Sequence, residues 1–104
     1  MDKNFISKRI TELRIKKNVS EYRMSTDLGH SKGYIQSIAS GRTLPSMTEF
    51  LYICDYLGVT PSVFFDEKIK EPILYNDINK YLSMMNEDDL KIILDICKRM
   101  NNEA

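Results

Sequence analysis

The chain of 104 residues has no Trp, one His, two Cys, three Pro and four Gly. With so few chain breakers, a fold of many short strands joined by Gly- and Pro-rich turns is excluded. The abundance of Leu, Ile, Met and Lys favours helices, so an all-α fold is expected. No stretch approaches the roughly 18 apolar residues that cross a bilayer. The start MDKNFISKRI is charged at once and lacks the apolar core of a signal peptide, so no membrane contact is expected and a cytoplasmic location is. Cys54 and Cys97 stand apart in apolar helical patterns, without CxxC spacing or a His cluster, and both read as buried reduced thiols. His30 is alone, no Gly loop cradles a phosphate and no Ser has a positioned base. No catalytic set, metal site or cofactor follows, and the chain does not read as an enzyme.

Net charge is also missing, but only in total. Residues 1–60 carry nine Lys and Arg against six Asp and Glu, giving +3, while residues 61–104 carry six against nine, giving −3. A polyanion is attracted by a local face and not by the total, so the basic half is the half to inspect. Six of its cations lie in residues 1–19, opposed only by Asp2 and Glu12. They read equally well as a solvated helix face and as a backbone-contacting surface.

Ile6, Ile10 and Leu13 mark one face of a first helix, from about Phe5 to Lys17. Ser20 to Arg42 then reads as two short helices separated by a tight turn at Leu28–Ser31. Ser20 and Ser31 stand where N-cap hydroxyls belong, and Gly29 where the first of the two helices must end with positive φ. Met24 with Leu28, and Ile35 with Ile38, point inward. Lys32, Gly33, Gln36, Ser37 and Ser40 stay outward, as suits a helix that enters a DNA major groove.

Ser46-Met47-Thr48-Glu49 is a capping box opening a fourth helix that buries Phe50, Leu51, Cys54 and Leu57 and ends at Gly58. Thr60-Pro61 caps a short fifth helix through Phe65. Residues 1–66 thus form one five-helix unit, 67–72 a polar linker, and 73–104 a two-helix C-terminal segment. In that segment residues 74, 78, 81, 82 and 85 form one apolar stripe. Asn86 and the acids behind it start the last helix, which ends at Lys98-Arg99, matching the helix dipole. Leu90, Ile92, Ile93, Leu94, Ile96, Cys97 and Met100 cover more than half its circumference. Such a helix needs cover on two sides, expected from residues 73–85 and from the same segment of a second chain. Folding back onto the five-helix unit is the alternative. The expected homodimer interface is Leu90, Ile93, Leu94, Ile96, Cys97 and Met100.

With the helices placed, residues 6–65 resemble the lambda-repressor-like (Cro or XRE type) helix-turn-helix family. The resemblance is carried by I-x-x-x-I-x-x-L-R at 6–14, Ser20, L-G-x-S at 28–31, Y-I-x-x-I at 34–38, G-R at 41–42, P-S at 45–46 and L-G-V-T-P at 57–61. It implies a sequence-specific transcriptional regulator, a repressor by expectation, with double-stranded DNA as partner. The recognition helix falls on residues 31–40. Lys32, Gly33, Gln36 and Ser37 are then base-contacting, and Ser20, Ser31, Tyr34, Ser40 and Arg42 contact the DNA backbone. Departures from the family pattern are Glu21 where Gln is common, Ser25 where a small Ala is usual, and Ala39 where Glu is frequent. Gly33 costs the helix about 1 kcal/mol relative to Ala. These departures, with the neutral total, also suit a protein-interaction module on the same fold, antitoxin-like or anti-repressor, with a protein partner and weak or no DNA binding.

Overall fold

Asp2 opens the first helix, its carboxylate accepting from the N–H of Asn4 at 2.9 Å. In the computed structural model, which describes residues 1–103, seven α-helices follow: α1 Lys3–Lys17, α2 Glu21–Asp27, α3 Tyr34–Ala39, α4 Met47–Leu57, α5 Pro61–Phe64, α6 Pro72–Leu82 and α7 Glu87–Met100. There is no strand among the described residues, so the fold is all-α with the helix-turn-helix at the N-terminal end. No described helix is long and apolar enough to cross a membrane.

The boundaries follow local chemistry. Asn18 ends α1 with φ of 61°, and Arg14 Nη1 donates across the following turn to the carbonyl of Val19 at 2.8 Å. Ser20, Ser46 and Thr60 cap α2, α4 and α5 through their hydroxyls, and Asn86 caps α7. Gly58 ends α4 with φ of 77°, a conformation costly for a residue with a Cβ.

Ile10, Leu13, Met24, Ile35, Ile38, Ile53 and Phe64 are fully buried and unite α1 to α5 in one core. Phe64 is its hub, meeting Phe5, Phe50 and Phe65 at ring-centroid distances of 6.2, 4.9 and 5.2 Å, all edge-to-face. Leu51, expected inside, is half exposed, and Ile53 takes its place. A four-residue shift from Phe50 to Cys54 keeps one helical face, and Ile53 completes that stripe.

The segment 66–71 is not a loose tether. Arg9, itself buried, donates from Nη1 to the Ile69 carbonyl at 3.2 Å and from Nη2 to the Asp66 carbonyl at 2.7 Å. Ile69 is buried in the core, and Lys16 pairs with Glu71 at 2.7 Å. Helix α6 starts one residue earlier than expected, at Pro72, and docks through Pro72, Ile73 and Asn76, whose Oδ1 accepts from the Thr60 N–H at 3.0 Å. Of the apolar stripe expected at residues 74, 78, 81, 82 and 85, Leu74, Ile78 and Tyr81 face outward, whereas Leu82 and Met85 are half-buried. Pro72, Ile73 and Asn76 together mark the docked face of α6.

Helix α7 departs furthest from expectation. None of its residues is buried, and Ile93 alone is half-buried. It neither folds onto the five-helix unit nor is covered by α6, and the molecule extends 51 × 24 × 24 Å. Cys97 is consequently exposed, against the expectation of a buried thiol, whereas Cys54 is buried as expected. Burial, with the Asp55 carboxylate second, pushes the Cys54 thiol from 9.0 up to about 12. Proton binding there favours the folded chain, so this contribution is complete below pH 9 and is lost as pH rises toward about 12. In a Cys97→Ser chain, alkylation of Cys54 at pH 8 is expected to proceed only as fast as the protein opens, rising steeply across the denaturant transition. Labelling at the rate of a free thiol in buffer would contradict the burial.

Candidate nucleic-acid interface

Helix α3 is six residues long, too short to persist alone in water. It has no side-chain cap of its own: the N-cap position is Gly33, and Ser31 contributes only its carbonyl, which accepts from Tyr34 N–H at 3.1 Å. The expected start at Ser31 is thereby corrected, since residues 31–33 form a turn ahead of the helix. The missing cap comes from α2. Ser25, fully buried, accepts from the Ile35 N–H at 3.0 Å and donates to the Glu21 carbonyl at 2.7 Å. At the other end, buried Ser7 of α1 donates to the Ile38 carbonyl at 2.8 Å. Two hydroxyls thus satisfy one donor and one acceptor of the recognition helix, while Ile35 and Ile38 anchor its inner face.

The turn between α2 and α3 is held from a second side. Gly29 takes φ of 78°, as expected, and the His30 N–H returns to the Ser25 carbonyl at 3.0 Å. The His30 ring stacks on Tyr34 at 3.8 Å between centroids, and its Nε2 lies 2.6 Å from Glu49 Oε2. The Glu49 side chain therefore binds His30, while its own N–H donates to Ser46 Oγ at 3.1 Å, leaving only half of the expected capping box. His30 is not a freely exposed turn residue. The Tyr34 hydroxyl is buried without a hydrogen-bond partner, and burial, with the Glu49 carboxylate second, raises its pKa. In this arrangement it offers nothing to a phosphate.

The outward residues behind the turn form one hydrogen-bonded patch. Arg42 donates from Nη2 to Gln36 Oε1 at 2.6 Å and from Nε to Ser40 Oγ at 3.1 Å. Ser37 and Thr43 hydroxyls lie 3.1 Å apart, and the Ser37 carbonyl also accepts from the N–H groups of Arg42 and Thr43. With Arg42 on its oxygen, the Gln36 amide keeps both N–H donors and one oxygen lone pair to offer outward. Thr43 was not singled out by sequence; the clue available was its position one residue past Arg42 in the loop.

Lys32 is exposed and makes no ion pair among the described residues. Gly33 has φ of −96°, and a Cβ built there would meet nothing within 4 Å, so neither strain nor crowding requires glycine. Ser20 spends its acceptor on the Arg23 N–H at 2.9 Å, which leaves its O–H free to donate. Glu21 sits beside it at the start of α2, and Arg23 pairs with Asp27 at 3.4 Å.

The cations of α1 divide sharply from this surface. Arg9 and Arg14 tie loops to the helix, Lys16 pairs with Glu71, and Lys17 lies 4.9 Å over the Tyr56 ring. The even choice between a solvated face and a phosphate-binding one resolves toward architecture for these four. Among the described residues no group of acids, His and Cys is placed to hold a metal ion.

A helix-turn-helix family model matches residues 10–64, from the middle of α1 to the end of α5, just over half of the chain. Its family is the Cro/C1 type, whose members are DNA-binding regulators. No curated protein and no solved structure matches the chain.

Ser25→Ala would leave the buried Ile35 N–H without a partner, at a cost of about 1–3 kcal/mol. The melting temperature is expected to fall by roughly 4–8 °C per kcal/mol for a domain of this size. An unchanged melt would mean that the hydroxyl does not fix α3. Gly33→Ala is expected to leave the melt within about 0.5 kcal/mol of wild type. If the turn backbone lies against DNA, the added methyl weakens binding in a gel-shift titration; equal affinity would remove Gly33 from the interface.

Proposed function

Because the chain belongs to the Cro/C1-type helix-turn-helix family, we propose that it is a homodimeric, sequence-specific transcriptional repressor acting in the cytoplasm. The observation that carries the reading is the outward patch of α3: Gln36, Ser37, Ser40, Arg42 and Thr43 are joined by hydrogen bonds on a helix clamped at both ends, with unpaired Lys32 at its entrance. Lys32, Gln36, Ser37 and the Gly33 backbone meet base edges. Ser20, Ser31, Ser40 and Arg42 meet phosphates and set the register. Tyr34 leaves the phosphate-binding set because its hydroxyl is buried.

Dimerisation is supported by α7. Leu90, Ile93, Cys97 and Met100 repeat at three- and four-residue spacings, and Leu94 and Ile96 flank them. All are exposed except half-buried Ile93. Two copies joined there present their recognition helices to successive major grooves, about 34 Å apart on one DNA face. Repression then follows from occlusion of the promoter.

A second reading, a protein-interaction module of antitoxin-like or anti-repressor type, is favoured by one observation. Four cations of α1 are consumed by internal contacts, so the DNA-facing charge reduces to a few residues. Binding to DNA upstream of its own gene, titrated with salt, separates the two. The repressor reading expects a linear log–log fall of affinity with salt. Its slope becomes shallower in Arg42→Ala by about 0.9 for each phosphate no longer neutralised, and roughly twice that for two heads. Lys32→Ala is expected to weaken binding and relax sequence preference. Affinity indifferent to salt and to both substitutions, together with a stable protein partner, would favour the interaction module.

A further inference from the structure

Each chain leaves two apolar faces open. One is the outward side of α6, where Leu74, Ile78 and Tyr81 follow at helical spacing and are 60%, 49% and 66% exposed. Beside it lies a groove of about 440 Å³ lined by Leu74, Tyr75 and Ile78 together with Lys68 and Lys70. The other is α7. At 100° per residue its apolar arc has two sides: the seam of Leu90, Ile93, Cys97 and Met100, and roughly a quarter-turn away Ile92 and Ile96. Pairing of seam with seam covers the first side alone. Ile92 and Ile96, the latter 44% exposed, stay open, and so does α6.

We propose that the partner's α7 occupies this face of α6, so that α6 and α7 of two copies interleave as a four-helix bundle. The proposal rests on the dimeric reading above and names the surface through which it is built. One two-fold operation then covers both open faces twice, since in an isologous contact residue i meets j and j meets i. The chain's own α7 does not serve, because the α6 stripe and Ile92 and Ile96 are all open within one copy. Charge fixes the sense of the contact. In the groove Glu71 is paired with Lys16 and the Asp66 carboxylate accepts from the Lys68 N–H, whereas the Lys68 and Lys70 ammonium groups make no ion pair among the described residues. Setting Ile92 of the partner on Leu74 and its Ile96 on Ile78 brings the acidic first turn of that α7 beside these two lysines; Glu87 there pairs with Lys91 at 3.5 Å, while Asp88 and Asp89 make no ion pair among the described residues. Such helix pairs in bundles pack near-parallel or antiparallel through interdigitated side chains.

Two measurements test the proposal in the full chain. In sedimentation velocity, Ile78→Glu is expected to weaken the dimer at least about tenfold. Circular dichroism should show the head unchanged, since Ile78 is 49% exposed and lies outside the buried core. In a mixture of one chain carrying Ile78→Cys with Cys97→Ser and another carrying Ile96→Cys with Cys97→Ser, a short bis-maleimide is expected to join the two chains. A dimer that survives Ile78→Glu, gives no such crosslink and is broken by Ile93→Glu would overturn the bundle while leaving dimerisation intact. A wild-type monomer at roughly tens of micromolar would overturn dimerisation itself, and the bundle with it.

Discussion

The recognition helix depends on two hydroxyls. Six residues cannot nucleate and hold a helix against chain entropy, so α3 exists because its termini are satisfied from outside and its inner face is buried. The Ser25 hydroxyl accepts from the Ile35 N–H and donates to the Glu21 carbonyl, and the Ser7 hydroxyl donates to the Ile38 carbonyl. Helices α1, α2 and α3 are thus tied through buried polar contacts with defined direction. Apolar burial of Ile35 and Ile38 drives the association, but it tolerates sliding; a hydrogen bond of about 3 Å does not. That constraint sets how far α3 projects and which residues it turns outward.

Everything on the reading side is built on that fixed helix. The patch from Gln36 to Thr43 holds its side chains through contacts with each other. The same contacts restrict the chemistry on offer, because Arg42 takes one of the two lone pairs of the Gln36 oxygen. Behind the turn, the His30–Glu49 contact and the His30–Tyr34 stack brace α2 and α3 against α4.

The cations of the N-terminal half serve two purposes that composition could not separate. Arg9, Arg14 and Lys16 fix connections, the first by clamping the chain between α5 and α6 with two carbonyl bonds. That clamp turns a polar linker into part of the head and gives α6 a defined exit. Helix α6 consequently leaves the head in one direction, with Leu74, Ile78 and Tyr81 exposed on it.

The sequence by itself determined the helical class, the order of the helices and most of their ends, because caps, glycine turns and apolar periodicity act over three or four residues. Ser20, Gly29, Ser46, Gly58 and Thr60-Pro61 were legible for that reason, as was the outward position of Lys32, Gln36 and Ser37. What tertiary structure alone decided involves partners distant in the chain. The cap of α3 passed from Ser31 to Ser25, and Glu49 turned from its own helix start to His30. The Tyr34 hydroxyl went inward, and α6 docked through Pro72, Ile73 and Asn76, leaving Leu74, Ile78 and Tyr81 of its expected apolar stripe exposed. The bonds of Ser25 to Ile35 and of Ser7 to Ile38 span 10 and 31 residues, and no local pattern records them. A periodic stripe says that a face must be covered; only the packing of the whole chain shows whether that chain covers it.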